Sequence, residues 1–128
     1  MPVVRIKFID RNLVRANLSW MFLFGDNCMR VGLGGQARAM RGERNAIGIR
    51  TKYLPSMEEG AFFSDKQYTF CTSCINEDFI PAFNHVKAGG FVVIPLDGLG
   101  TGLSKLPTCA PRVFEFLEEK IKALELLG

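Results

Sequence analysis

The chain has 128 residues, of which 48% are apolar and 23% are charged. Because this is the usual size of one domain, we predict a single domain over residues 1–128. The apolar content excludes a disordered chain, and no apolar run approaches the roughly twenty residues that span a bilayer, so we expect a globular protein with no membrane partner. Sixteen basic and thirteen acidic residues suit a phosphate-binding face and an ordinary mixed surface equally well.

The N-terminus and the cysteines indicate the compartment. Charged residues interrupt the only apolar stretch at the N-terminus, which is unlike a secretory signal, so we expect a cytoplasmic protein. Cys28, Cys71, Cys74 and Cys109 are too few and too unevenly spaced for a disulfide framework, and we expect reduced thiols. Cys71 and Cys74 form a CxxC pair without a second pair at zinc-site spacing, so we predict neither a metal site nor a cofactor.

The first half of the chain alternates apolar segments with glycine-rich turns. A β-branched, alternating pattern predicts a strand over residues 3–9 that ends at Asp10, and a continuous apolar run predicts a buried strand over residues 19–24. A Gly-Leu-Gly-Gly segment at residues 32–35 leads into a predicted helix over residues 36–41 and a short strand over residues 45–49. Residues 50–63 have no clear periodicity and predict a surface excursion, which is a candidate lid.

The second half predicts two helices and one strand. An Asn-Glu-Asp segment at residues 76–78 is expected to cap a helix over residues 79–88, in which Pro81 falls near the first turn. Residues 91–95 predict an apolar strand that leads into a glycine-rich loop, and Pro111 begins a final helix with apolar residues at three- and four-residue spacing. Alternating strands and helices predict an α/β fold with a mixed, partly parallel sheet and helices on both faces.

The two most apolar strands are each followed by a glycine-rich loop and then by a helix. Ligands of open α/β sheets bind at the carboxyl ends of strands, and glycines allow backbone N–H groups to approach an anion closely. Two such loops side by side would suit a diphosphate. The alternative for each loop alone is that its glycines only form a tight turn. Neither loop has the spacing of a P-loop or of a dinucleotide-binding turn, which disfavours an ATPase.

The order of these features resembles a macrodomain, the ADP-ribose-binding α/β/α fold, and is most similar to the branch that contains the terminal ADP-ribose protein glycohydrolase. Asp26, Asn27 and the Gly-Leu-Gly-Gly segment resemble the polar residue and first loop of that family. The segment from Ile94 to Leu106 resembles the loop that wraps the diphosphate. The resemblance covers about residues 20–117, and it implies a compact α/β/α sandwich that binds an ADP-ribose-type nucleotide, either free or attached to a macromolecule.

The resemblance also implies the residues that contact the ligand. Backbone N–H groups of the two loops would hold the diphosphate, and the carboxylate of Asp10 would accept the adenine amino group. A ring from Tyr53, Phe62 or Phe63 would stack on the adenine or on the distal ribose, unless it only packs. The full set of expected ligand-binding residues is Asp10, Asp26, Gly34, Gly35, Gly98, Gly100, Thr101, Gly102, Leu103 and Ser104.

In this branch a strand that ends in Thr-Lys supplies a lysine that attacks the anomeric carbon of ADP-ribose, and Lys52 stands at the matching place. The alternative is that Lys52 is an ordinary lysine on the protein surface. Asn27 would position the distal ribose or a water. The branch carries an acid after its second Gly-x-Gly-Leu segment, where this chain has Ser104, which cannot act as an ordinary general acid. Asp97 or Asp26 is the available substitute, although aspartates at strand ends also cap loops.

These observations leave three functions open, and they do not determine an oligomeric state. The first is a protein that binds an ADP-ribose-type nucleotide and hydrolyses an ADP-ribosyl bond. The second is a non-catalytic reader or sponge of such a nucleotide, which Ser104 favours. The third is a nucleic-acid-binding protein, which is disfavoured because its basic residues are not interleaved with aromatic ones. Those basic residues are Arg30, Arg38, Arg41 and Arg44.

Overall fold

The computed structural model describes residues 2–127. Two single-turn 3-10 helices, Glu59–Ala61 and Asp65–Gln67, precede the longest helix. The strands and α-helices of the described chain are β1 (Val3–Ile6), α1 (Arg11–Ala16), β2 (Met21–Asn27), α2 (Ala37–Met40), β3 (Ala46–Lys52), α3 (Tyr68–Lys87), β4 (Val92–Pro95), α4 (Leu106–Cys109) and α5 (Pro111–Leu126).

The four strands form one sheet in the order β1-β4-β2-β3, and every pairing between these strands is parallel. Within residues 2–127, the one isolated bridge is antiparallel and joins Lys52, at the end of β3, to Phe62. The predicted α/β sandwich is confirmed, and its parallel sheet follows from the helical crossovers that join successive strands.

Apolar side chains alternate between the two faces of the sheet. Leu23, Ile49 and Ile94 pack in one core with the apolar faces of α3 and α5. Phe22 and Phe24 pack in a second core with residues of α1 and α2. Since neighbouring residues of a strand point to opposite faces, a continuous apolar run such as β2 requires helices on both sides. No helix within residues 2–127 has both the length and the apolar character to cross a membrane.

Two predicted elements need correction. The first strand ends at Ile6, and Asp10 is the N-cap of α1, where its carboxylate accepts the Leu13 N–H at 2.8 Å. Helix α3 begins at Tyr68 and not at residue 79, so the expected cap at residues 76–78 lies inside the helix. The buried residues Cys71, Cys74, Ile75, Phe79 and Ala82 give α3 one continuous apolar face, and this packing outweighs the proline in its interior.

The opening in the sheet lies beyond the end of β4. Strand β2 pairs with β4 only at Met21 and Phe22, and it continues to Asn27 after β4 has ended at Pro95. The second glycine-rich loop enters this gap, where a Cβ placed on Gly25 would lie 3.4 Å from the Gly100 nitrogen. Glycine at position 25 therefore lets the loop pass against the end of β2.

Candidate functional site

A groove lies between the two glycine-rich loops and consists of three adjoining cavities. The outer cavity, about 440 Å³, is lined by Asp10 and Asp97 together with Gly35 and Gln36. The central cavity, about 90 Å³, shares Gly35 and Gln36 with the outer one. The inner cavity, about 300 Å³, is reached through Leu103 and Ser104, which line both the central and the inner cavity. The groove therefore runs from the α1 cap to the ends of β2 and β3.

Several backbone N–H groups of the two loops have no hydrogen-bond partner in the described part of the protein. Within residues 2–127, the N–H groups of Gly34, Gly35, Gly100, Thr101 and Gly102 donate no hydrogen bond to the protein. All of these except Thr101 line the central cavity. Gly100 is buried, so its N–H is more costly to leave unpaired than the others. Unpaired N–H groups from two loops make the central cavity suitable for an anion.

Left-handed glycines shape both loops. Gly35 and Gly100 have φ values of +56° and +77°. Gly98, also left-handed at +89°, donates its N–H to the Pro95 carbonyl and does not line any of the three cavities. The structure thus brings Gly34, Gly35, Gly100 and Gly102 to the groove, while Gly98 only turns the chain.

Asp26 anchors the first loop through ion pairs. Its carboxylate, with 5% of the residue exposed, lies 2.5 Å from a guanidinium nitrogen of Arg41 and 3.3 Å from one of Arg30. Arg41 also donates to the carbonyls of Gly32 and Val31 at 2.7 and 3.2 Å. Asp26 therefore holds the loop in place, and its carboxylate is already engaged by two cations.

The Asn27 amide is also engaged by the first loop. Its nitrogen donates to the Val31 carbonyl at 2.8 Å, and its oxygen accepts the Met29 N–H at 3.0 Å. Asn27 lines the inner cavity, but these contacts hold its amide in a turn. Asn27 lies beside Lys52, but its amide stabilises the turn of the first loop.

Lys52 lies inside the inner cavity and is not a surface lysine, because only 5% of it is exposed. Its Nζ donates to the Ser56 carbonyl at 2.7 Å, reaches the Leu103 carbonyl at 3.5 Å, and lies 4.8 Å from the centre of the Phe62 ring. Burial lowers the pKa of Lys52, and the nearby Lys105 lowers it further. A lowered pKa makes the amine easier to deprotonate, which a nucleophilic lysine requires.

Ser104 and Thr51 form a buried pair of hydroxyl groups beside the groove. Their oxygens are 2.6 Å apart, and the Thr51 oxygen also lies 3.2 Å from the Asp26 carbonyl. Ser104 is 7% exposed and Thr51 is fully buried. Ser104, which stands where the macrodomain resemblance leads us to expect an acid, is therefore held in a hydrogen-bonded arrangement.

Asp97 is separated from Lys52 along the groove. Asp97 and Asp10 line the outer cavity, whereas Lys52 lines the inner one. The expected combination of Lys52 with Asp97 as its acid is therefore not brought together. Because the Asp10 carboxylate caps α1, its acceptor capacity is partly used there.

The three candidate stacking rings have different surroundings. Phe63 is 1% exposed and belongs to the core. Tyr53 packs edge-on against Phe63 and donates its hydroxyl to Gln67. The ammonium groups of Lys52 and Lys105 lie 4.8 and 6.0 Å from the centre of the Phe62 ring. Of the three rings, Phe62 is the one over which the Lys52 ammonium group lies.

Three residues of the site were not predicted from the sequence as site residues. Arg41, Thr51 and Gln36 contribute to the groove or to its walls through contacts that only the folded chain creates. A signal existed for Thr51, because it adjoins Lys52 in the Thr-Lys ending of β3. Within residues 2–127, no cluster of three or more His, Cys, Asp or Glu side chains is arranged to hold a metal ion.

Comparison with known proteins identifies a family for this chain but no relative of known activity. No curated protein and no solved structure matches the chain. One family model, described as a family of unknown function, DUF7831, matches residues 4–120. The groove lies within the matched residues, which cover the fold except for the first residue of β1 and the C-terminal end of α5. The chain therefore belongs to the DUF7831 family.

Proposed function

We propose that the groove binds an ADP-ribose-type nucleotide, with the diphosphate in the central cavity. The observation that carries this proposal is that residues of both loops, whose backbone N–H groups have no partner in the protein, line that cavity. Backbone N–H groups in such concave loops bind phosphate through directed hydrogen bonds and need no cationic side chain. The diphosphate of the ligand would be held from both sides at once.

The cavities on either side support a ligand with a group at each end of the diphosphate. The outer cavity, about 440 Å³, has the size of a small-molecule site and offers the carboxylates of Asp10 and Asp97 as acceptors for an adenine amino group or a ribose hydroxyl. The inner cavity, about 300 Å³, would take the distal ribose beside Lys52 and Ser104. A mononucleotide would leave one of these cavities empty.

The groove supports binding without chemistry better than it supports hydrolysis. Among the described residues that line the inner cavity, Asp26 is the one carboxylate, and it is paired with two guanidinium groups. The oxygens of this carboxylate already accept hydrogen bonds from the two guanidinium groups, so they are not directed at a ligand in the cavity. The protein would then act as a reader or a sponge of the nucleotide, whether free or attached to a macromolecule.

Hydrolysis of an ADP-ribosyl bond is the second candidate function, and the surroundings of Lys52 favour it. A buried amine with a lowered pKa, beside the cavity proposed for the distal ribose, is suited to attack at the anomeric carbon. Replacement of Lys52 with alanine separates the two candidates. Loss of turnover with retained binding would support hydrolysis, whereas absence of turnover in the unmodified protein would support binding alone.

Nucleic-acid binding has less support, because the arginines of the first half are largely paired. Arg30 and Arg41 contact Asp26, and Arg30 also contacts Asp78 at 2.8 Å. Paired guanidinium groups contribute less to an electrostatic surface for phosphates.

The free thiols of all four cysteines support our placing the proposed nucleotide-binding activity in the reducing cytoplasm.

The first test is calorimetric titration of the purified protein with ADP-ribose, AMP and NAD. We expect micromolar binding of ADP-ribose and much weaker binding of AMP, because AMP lacks the second phosphate and the distal ribose. Equal affinity for ADP-ribose and AMP would contradict a role for both loops. Absence of binding to all three nucleotides would remove the proposed function.

A matched pair of glycine variants tests the central cavity. Gly102 lines that cavity and Gly60 does not, yet a Cβ on either would have nothing within 4 Å and neither has a positive φ. We expect Gly102→Glu to weaken ADP-ribose binding at least about tenfold, since a carboxylate beside the diphosphate adds like-charge repulsion. Gly60→Glu makes the same charge change and should bind as the unmodified protein does. An equal loss in both variants would indicate a general charge effect.

A further inference from the structure

The hydroxyl groups of Thr51 and Ser104 have a defined direction of hydrogen bonding. The Asp26 carbonyl oxygen can only accept, so at 3.2 Å the Thr51 hydroxyl donates its single proton to it. Thr51 then has only lone pairs to offer Ser104 across the 2.6 Å contact. Ser104 is therefore the donor to Thr51, and its own proton is committed to the protein.

This direction determines what Ser104 offers to a ligand. Ser104 lines both the central and the inner cavity, at the junction between them. With its proton directed at Thr51, the Ser104 oxygen presents lone pairs to the groove and can only accept a hydrogen bond. A ligand group at this junction must therefore donate a hydrogen bond to the Ser104 oxygen. A group that has only lone pairs is repelled by the lone pairs of that oxygen.

We propose that Ser104 makes the groove selective for a nucleoside diphosphate whose second phosphate carries a hydroxyl-bearing sugar, and selective against one that ends in a free phosphate. This inference rests on the proposed function of the groove. A sugar hydroxyl donates to the Ser104 oxygen, whereas the terminal oxygens of a free diphosphate are charged acceptors that meet its lone pairs. ADP-ribose and ADP represent the two kinds of ligand, because they share every group except the sugar.

Thr51 is the positioning residue in this arrangement, because it acts on the ligand through Ser104. Its methyl group lies against Gly100, where a Cβ would be 3.3 Å from it. Thr51→Val keeps that shape and removes the hydroxyl, so the Ser104 proton becomes free to turn into the groove. Thr51→Ser keeps the hydroxyl and loses the methyl group. A purely structural role for Thr51 predicts no change in the preference between ligands.

The test measures dissociation constants for ADP-ribose and ADP by calorimetry, with thermal melting of each variant as a check of folding. We expect the unmodified protein to prefer ADP-ribose. Ser104→Ala should reduce that preference about 3- to 10-fold, which is the usual contribution of one hydrogen bond. Thr51→Val should reduce it as well, because a freed Ser104 proton can bind a terminal phosphate, and Thr51→Ser should retain it.

The outcomes separate this inference from the proposed function. If the unmodified protein binds neither nucleotide, both fail. If it binds ADP-ribose but Ser104→Ala leaves the preference for ADP-ribose over ADP unchanged, the inference is wrong and the proposed function stands. Should Thr51→Val fail to fold, Ser104→Ala still decides, because it removes the side chain that would contact the ligand.

Discussion

Lys52 and Asp26 are buried charged residues on adjacent strands, and their partners differ in kind. The Asp26 carboxylate contacts two guanidinium groups, which compensate for the loss of water. The Lys52 ammonium contacts the carbonyls of Ser56 and Leu103, which are neutral acceptors. Burial therefore lowers the pKa of Lys52 from its ordinary value of 10.5, and the neighbouring Lys105 adds to the effect.

This lowered pKa predicts a pH-dependent contribution of Lys52 to stability. Above the folded-state pKa and up to about pH 10.5, the unfolded chain holds a proton that the folded chain has released, so the free energy of unfolding rises with pH. We expect the stability of the unmodified protein relative to Lys52→Met to increase between pH 7 and pH 10. Urea denaturation of both proteins at the two pH values measures it. A difference that stays constant or falls would contradict a lowered pKa.

At the scale of elements, α3 combines a strong apolar face with an interior proline. Pro81 has no N–H to donate to the carbonyl one turn earlier, and it lies on the exposed side of the helix. The buried residues of α3 pack against β3 and α5, and this tertiary packing keeps the helix continuous over its 20 residues.

Replacing this proline should stabilise the protein. We expect Pro81→Ala to raise the free energy of unfolding by about 1–3 kcal/mol, since it restores a helical hydrogen bond and a favourable helix former. Pro111→Ala is the matched control, because Pro111 stands in the first turn of α5, where the N–H has no helical partner. The control should change stability by less than about 0.5 kcal/mol. Chemical denaturation measures the stability of both variants. Destabilisation by Pro81→Ala would contradict a cost of the proline to α3.

The predictability of the elements follows from how local their signals are. The apolar spacing of α5 and the β-branched residues of β4 are readable within each segment, and both elements appear at about the predicted places. The first half of α3 was not predicted because Pro81 and the polar residues 76–78 resemble a helix start. Helix α1 was missed because its cap, Asp10, also resembles the end of a strand.

At the scale of the whole molecule, the two loops meet because β2 and β4 are neighbours in the sheet although β3 and α3 separate them in the chain. Gly25 lets the second loop approach β2, and Gly34 lies against Leu103 of that loop, since a Cβ there would come within 2.9 Å of its side chain. The groove therefore depends on both loops holding their positions together, and a ligand in the central cavity should order them as one unit.

Hydrogen exchange tests this coupling. We expect ADP-ribose to slow amide exchange in residues 34–36 and in residues 100–104 at the same ligand concentration, while α5 stays unchanged. Mass spectrometry of protease fragments measures both loops in one experiment. The Gly102→Glu protein should show no slowing in either loop at that concentration. Slowing confined to one loop would contradict a diphosphate held from both sides.

The α/β class, the approximate strands and the two glycine-rich loops could be predicted from the sequence alone, because apolar periodicity and glycine act over a few residues. Lys52 and Ser104 could also be predicted from the sequence as candidate site residues. The folded chain was needed to show that Lys52 is buried, that Asp97 lies at the other end of the groove, and that Asp26 and Asn27 are engaged by the first loop. Burial and pairing depend on neighbours that are distant in the chain, and the order of strands in the sheet brings those neighbours together.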